Sequence, residues 1–207
     1  MLSLRLLTIA DMIPNNSKII NIGTDHALLE IYLTLNKNVH CLGLDINLDC
    51  VLKALNNVKK YNLNQIKILQ NDGLNNLKLT DEIIILSGLG TRKILQILNE
   101  NITNDLIIQS NNNLYELRQR VCKKGYHIEK EIPVFDKKWY VIIYFKKGYQ
   151  KYSKLNLYIG PTITNKNYKE YLIKINQKML KNINKKQFIK KIKKYILIKK
   201  IGSSIKT

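Results

Sequence analysis

The sequence predicts an α/β fold: a mostly parallel sheet covered by helices on both faces and finished by an antiparallel hairpin, then a separate C-terminal α-helical hairpin. Three observations lead there. Short β-branched runs alternate with helical patterns over roughly residues 18–124. Two further apolar runs, at 127–135 and 138–145, have no helix between them. Charge then changes abruptly near residue 150.

Taken in order, Leu2, Leu6, Ile9 and Ile13 recur at helical spacing in "MLSLRLLTIADMI", so the chain opens on an amphipathic helix. Arg5 and Asp11 interrupt that stretch and no small-residue cleavage site follows, which argues against a signal peptide. Strands are expected at 18–23, 39–45, 66–71, 82–87 and 105–110, with helices over about 27–36, 47–62, 91–100 and 112–124. Near-continuous apolar strands separated by helices belong to a parallel sheet buried on both sides. "HIEKEIPVF" and "KWYVIIYF" then pair as antiparallel neighbours. Five parallel strands and a terminal hairpin make a Rossmann-like sheet of the class I methyltransferase kind, not a six-stranded dehydrogenase sheet.

The last region shows Tyr168, Leu172, Ile175, Met179 and Ile183 at alternating spacings of three and four, then Ile189, Ile192 and Ile196. Two helices packed through these stripes, with lysine outside, form the expected hairpin. "GPTI" at 160–163 is the break before it.

The 207 residues carry a net charge of +20. Residues 1–150 hold 19 Lys/Arg against 14 Asp/Glu, whereas residues 151–207 hold 16 Lys and a single acid, Glu170. Coding bias toward Lys, Asn and Ile is visible throughout, but a uniform bias does not produce that asymmetry. Two domains follow, 1–150 and 151–207, and the second one's excess charge points to a polyanionic partner. An anionic membrane surface competes, less well, because the hairpin's stripe is expected to be consumed by its own packing. No stretch is apolar and long enough to span a bilayer. Cys41, Cys50 and Cys122 are odd in number and lack CxxC spacing, which fits free thiols in a reducing cytosol and no metal site. A cytoplasmic monomer is expected.

"NIGTDHALL" (21–29) sits between the first strand and its helix, where a dinucleotide fold shows three glycines, yet it has one. Gly23 allows the tight turn. Asp25 and Ala27 stand where further glycines would admit a pyrophosphate, and a carboxylate facing phosphate is repulsive. The ligand is therefore phosphate-free and suits a positive charge, as S-adenosylmethionine does. Asp45, ending the second strand, is placed to accept from ribose hydroxyls, and Asp72 in "NDG" to hold the adenine amino group. Gly23, Thr24, Asp25, Ile46, Asn71, Gly73 and Ser87 complete the expected cofactor pocket.

With those motifs in view the sequence resembles the bacterial tRNA (adenine-N1)-methyltransferases that modify adenosine at position 22. "LRLLTIADMIP", "NIGTDHALL", "GLDIN", "NDGL", "LSGLGTRKILQIL", "IIQSNNNLYELR" and "GYHIEKE" follow the family's order and spacing over residues 1–147, and "GPTI" and "YLIKINQKML" look like the start of its helical hairpin. The chain departs from the family pattern in places. Asn21 stands for Asp, Leu28 and Glu30 for an aromatic and a proline, Leu89 and Thr91 for residues of a Gly-Met-Gly-Gly segment, and Ser110 for a proline.

The resemblance implies methyl transfer from S-adenosylmethionine to adenine N1 of tRNA, an in-line displacement catalysed by positioning, with the base flipped from its stack. Asp25, His26, Gly88 and Gln109 are the expected catalytic residues. His26 could equally be a locally satisfied helix-start residue, and Gln109 and Asn111 could cap the next helix, capping being the safer reading for Asn111. Arg5, Arg92, Arg118 and Arg120 near the mouth, with Lys185, Lys186, Lys190 and Lys193 of the hairpin, are the expected tRNA contacts. Tyr168 and Tyr171 read as hairpin core. Two other readings stay open: methyl transfer to another RNA or to a protein, and a non-catalytic RNA-binding protein on a decayed methyltransferase fold.

Overall fold

A computed structural model describes residues 2–98, 102–183 and 187–206. Its elements run α1 (Leu4–Asp11), β1 (Lys18–Ile22), α2 (Leu28–Lys37), β2 (His40–Asp45), α3 (Leu48–Lys59), β3 (Ile66–Gln70) and β4 (Ile83–Leu89). They continue with α4 (Thr91–Ile97), β5 (Leu106–Ser110), α5 (Leu114–Lys123), β6 (Tyr126–Asp136) and β7 (Lys138–Lys147). A second compact unit, Tyr152–Thr207, holds α6 (Lys154–Ile159), α7 (Lys166–Lys181) and α8 (Phe188–Lys206).

The seven strands form one sheet in the order β3-β2-β1-β4-β5-β7-β6. β1 to β5 pair in parallel, and β7 pairs antiparallel with both β5 and β6. The hairpin is as the sequence predicts, but β7 is inserted between β5 and β6, so the later strand is interior. Composition explains this: Val141, Ile142, Ile143 and Phe145 of β7 are buried, whereas β6 carries exposed Glu129 and Lys130 suited to an edge. A tight turn at Lys137, with φ of +61°, makes the reversal.

Burial on both faces follows from the apolar runs. On the side of α1, α2 and α3, Ile19, Ile83, Ile85, Ile107 and Ile142 form one core cluster. The alternate residues Ile20, Ile84, Leu106, Ile108 and Ile143 are as deeply buried; they face the other way by the pleat period of two. Helix α1 starts on Ser3, whose hydroxyl accepts from Leu6 N. At its C-terminal end Lys37 donates to Ala10 O in the last turn, at 2.7 Å, and to Ile13 O just past the helix, at 2.8 Å.

In the second unit the expected hairpin is present, preceded by a short helix, α6, that the sequence pattern did not reveal. Tyr168 is buried, and Leu172 and Ile175 are half-buried, on α7. Met179 is exposed, and Tyr171 sits at the edge of the packing. The stripe expected on α8 is wrong in register: Ile192 and Ile196 are exposed, while Ile201 is fully buried. Four consecutive apolar residues, Tyr195 to Ile198, leave the helix without one favoured face, so spacing alone did not select a register. The side chain of Ile189 lies outside the described residues. Among the described residues no helix is long and apolar enough to cross a membrane.

Candidate functional site

At β1 and β4 the sheet changes direction, with β2 lying to one side and β5 to the other. Such a switch point opens a crevice at the carboxyl ends of the strands. Here it encloses about 230 Å³ and opens to solvent on one side. The turn from β1 into α2 contributes Gly23, Thr24, Asp25 and His26, β4 contributes Ser87 and Gly88, and Arg5 enters from α1.

The turn is built against phosphate. Gly23 has φ of +85°, and Asp25 and Ala27 also lie in the left-handed region. The amides of Gly23 and Thr24 both donate to Leu44 O, at 2.8 and 3.1 Å. Asp25 N donates to Asp45 Oδ2 at 3.4 Å and Ala27 N to Thr24 O at 2.9 Å. A phosphate nest needs these N–H groups free and convergent; here they are spent on the protein. Asp45, at the tip of β2, accepts from Asn47 N and Asp25 N. A carboxylate accepts about four hydrogen bonds, so acceptor capacity remains for hydroxyl donors. These residues fit a phosphate-free, cationic nucleoside.

Not all of the expected pocket converges. Asp72 and Gly73 line a separate hollow, where Asp72 lies 3.5 Å from Lys93 Nζ on the surface. The Asn71 amide donates to Gly73 O and Asn75 O and so holds the turn after β3. Ile46 is exposed beside Asp45.

On the other wall, Gly88 occupies a bulge in β4, where the register against β5 shifts, with φ of +82°. Bulges of this kind re-aim a strand next to a site. Gln109 is fully buried, and its carbonyl oxygen accepts from Gly88 N at 3.0 Å and from Arg5 Nη1 at 3.1 Å. It therefore holds the bulge and cannot present an edge to a purine, which corrects its expected catalytic contact. Asn111 does not cap α5: its amide donates to Gly88 O, and α5 is capped by Asn113 in a left-handed conformation. Asp25 and His26 are exposed at the crevice with Oδ1 and Nε2 3.6 Å apart.

Two expected RNA contacts are corrected. Arg118 is fully buried, its Nε donating to Glu131 Oε1 at 2.6 Å, because α5 packs this face onto β6. Arg5 is turned inward, donating to Ser87 Oγ and Gln109 Oε1, and lies 5.7 Å from the Tyr140 ring centroid. It roofs the crevice rather than reaching outward. Arg92 and Arg120 are exposed and share a shallow groove with Glu116. Lys190 and Lys193 are exposed on α8, and Lys185 and Lys186 lie outside the described residues.

The departures at four positions come in bonded pairs. Thr91 Oγ1 and Ser110 Oγ are 2.9 Å apart, both buried, and Thr91 Oγ1 also reaches Asn112 O. Asn21 Nδ2 donates to Glu30 Oε1 at 2.9 Å, and Thr24 Oγ1 donates to the same oxygen. Each replacement thus bonds to the other member of its pair, although Glu30 Oε2 has no partner among the described residues. Glu30 is fully buried, and burial pushes its carboxyl group up from the ordinary glutamate range. Sequence reasoning did not use it, although a carboxylate between Leu29 and Ile31 in an apolar helix was a visible signal.

A methyltransferase-domain family matches residues 2–143. The tRNA (adenine(22)-N(1))-methyltransferase of Bacillus subtilis (strain 168) is 34% identical over 139 residues, which are 63% of this chain and 58% of that protein. The match thus spans less than two thirds of that relative's length. TrmK of M. capricolum, solved with S-adenosyl-homocysteine, is 32% identical with a TM-score of 0.86, covering 100% of this chain and 98% of its own. A Streptococcus pneumoniae protein solved in complex with S-adenosyl-L-methionine is 25% identical with a TM-score of 0.87, the coverage being 97% and 99%.

Proposed function

The chain belongs to the methyltransferase-domain family, and from that premise we propose that it methylates N1 of adenosine 22 in tRNA, using S-adenosylmethionine. The observation that carries this reading is the β1–α2 turn, whose amides are tied to Leu44, Asp45 and Thr24 while Asp45 stays able to accept. A relative 32% identical over nearly its whole length holds the product of the same cofactor.

When bound, S-adenosylmethionine supplies an electrophilic methyl group on sulfur. The chain's own residues then have three tasks. Asp45 would accept from ribose hydroxyls, with Gly23 and Thr24 forming the floor. Gln109 and Arg5 hold the Ser87–Gly88 bulge where the target base is received, so both are positioning residues. Asp25 is an exposed carboxylate lining the crevice, and a fixed negative group aimed at a purine that gains positive charge on methylation would lower the barrier. His26 offers a ring beside it. Neutral adenine N1 already carries a lone pair, so no base is required to activate it.

Arg92, Arg120 and the lysines of α8 supply contacts to tRNA phosphates. The protein works as a monomer in the cytoplasm.

The direct test is incubation with methyl-labelled cofactor and unmodified tRNA, followed by nucleoside mapping. Label in 1-methyladenosine at position 22 is expected; label in another nucleoside, or in protein, overturns the assignment. Asp45→Ala is expected to weaken cofactor binding about 10- to 100-fold, the scale of lost charge-assisted hydrogen bonds. Calorimetry would show this with tRNA affinity unchanged.

A further inference from the structure

Behind the crevice wall lies a carboxylate that the reaction above does not use. Glu30 is fully buried in the first turn of α2. One of its oxygens, Oε1, accepts from two crevice-lining residues, Asn21 and Thr24. Its other oxygen, Oε2, has no hydrogen-bond partner among the described residues. β2 makes room for the group: a Cβ on Gly43 would stand 3.0 Å from Glu30 Oε1 and 2.7 Å from Thr24 Oγ1. The positive end of the α2 dipole favours an anion in this first turn.

Packing alone gives no reason for it. A buried carboxylate with one oxygen unsatisfied costs stability that an apolar residue on this helix face would not. What it does is fix Asn21. With Nδ2 given to Glu30, the group Asn21 has left for the crevice is Oδ1, an acceptor. Arg5, which also lines the crevice, is held by Ser87 and Gln109.

We propose that Glu30 is a positioning residue that acts through Asn21, turning an acceptor toward the crevice and supplying from behind it the negative charge that selects a ligand's ammonium group. The inference rests on the reading that this crevice takes S-adenosylmethionine, whose amino-acid end carries that group. Burial raises the Glu30 carboxyl above the ordinary glutamate range, and an ammonium group held beside Asn21 would favour its charged form.

The test compares three ligands by calorimetry: S-adenosylmethionine, S-adenosylhomocysteine, and 5′-methylthioadenosine, which lacks the ammonium group. Glu30→Gln keeps an acceptor for Asn21 and Thr24 but removes the charge. It is expected to bind the first two about tenfold more weakly and the third as the wild type does, while melting no lower than wild type. Exchanging the carboxylate across the hydrogen bond, in Asn21→Asp/Glu30→Gln, is expected to bring adenosylmethionine affinity back to within about threefold of wild type. Unchanged binding of all three by Glu30→Gln, equal weakening of all three, or no recovery in the exchange variant each overturns the role of Glu30. Wild-type protein that binds none of the three sinks the methyltransferase reading instead.

Discussion

Replacing Arg118 by methionine is expected to lower the free energy of unfolding by about 3–5 kcal/mol, the cost of leaving a buried partner charge uncompensated. Arg118 and Glu131 are both fully buried, joined at 2.6 Å between α5 and β6. Their field reaches Cys122, one turn further along α5, whose thiol is pushed up to about 11 by burial and then by the Glu131 charge. The loss should show as a lower denaturation midpoint at unchanged slope. The double variant Arg118→Met/Glu131→Leu is expected to recover most of it, since an apolar pair of similar volume often matches a buried ion pair. Arg118→Lys should fall between, because lysine lacks the planar fork. A residue that binds RNA behaves in the opposite way: its replacement leaves the melt alone and lowers the salt dependence of tRNA binding by the equivalent of about one phosphate. An unshifted melt for Arg118→Met would overturn the structural role.

That contrast shows where sequence reasoning stops. The strands were legible because isoleucine runs such as Ile83 to Leu86 must be buried on both faces, and both faces are indeed covered. The turn after β1 was legible because Asp25 stands where a second glycine would, and a carboxylate facing phosphate is repulsive. Arg118 was not legible. Its charge argues for the surface, and only Glu131, meeting it across the packing of α5 on β6, makes burial tolerable. Gln109 misled for the same reason: a polar residue at a strand end suggests a ligand contact until Gly88 N and Arg5 are seen to fill its acceptor. The order of β6 and β7 turned on which hairpin strand carried charge, a signal present in Glu129 and Lys130 but not weighed. On α8 a run of four apolar residues offered several packing faces, and spacing chose the wrong one.

Charge asymmetry is a different kind of signal, because it concerns a partner rather than packing. On α8, Lys190, Lys193 and Lys194 fall at helical spacings of three and four, where like charges repel. Glu170 is the only acid between 151 and 207 to offset them. A helix that keeps such repulsion gains most from a polyanion, and displaced counterions then set the affinity. If six or more tRNA phosphates are met, affinity should fall about 10³-fold or more between about 50 and about 200 mM salt. Replacing Lys190, Lys191 and Lys193, all exposed, by alanine should reduce the magnitude of the log–log salt slope by about two to three, close to one for each phosphate left unneutralised. At low salt the same variant should bind tRNA about 10- to 100-fold more weakly and S-adenosylhomocysteine as before, since no residue of the crevice is touched. Filter binding over a salt series measures the first quantity and calorimetry the second. A salt slope identical to that of the wild type would mean that these lysines meet solvent alone, and the tRNA contacts would then have to come from Arg92 and Arg120.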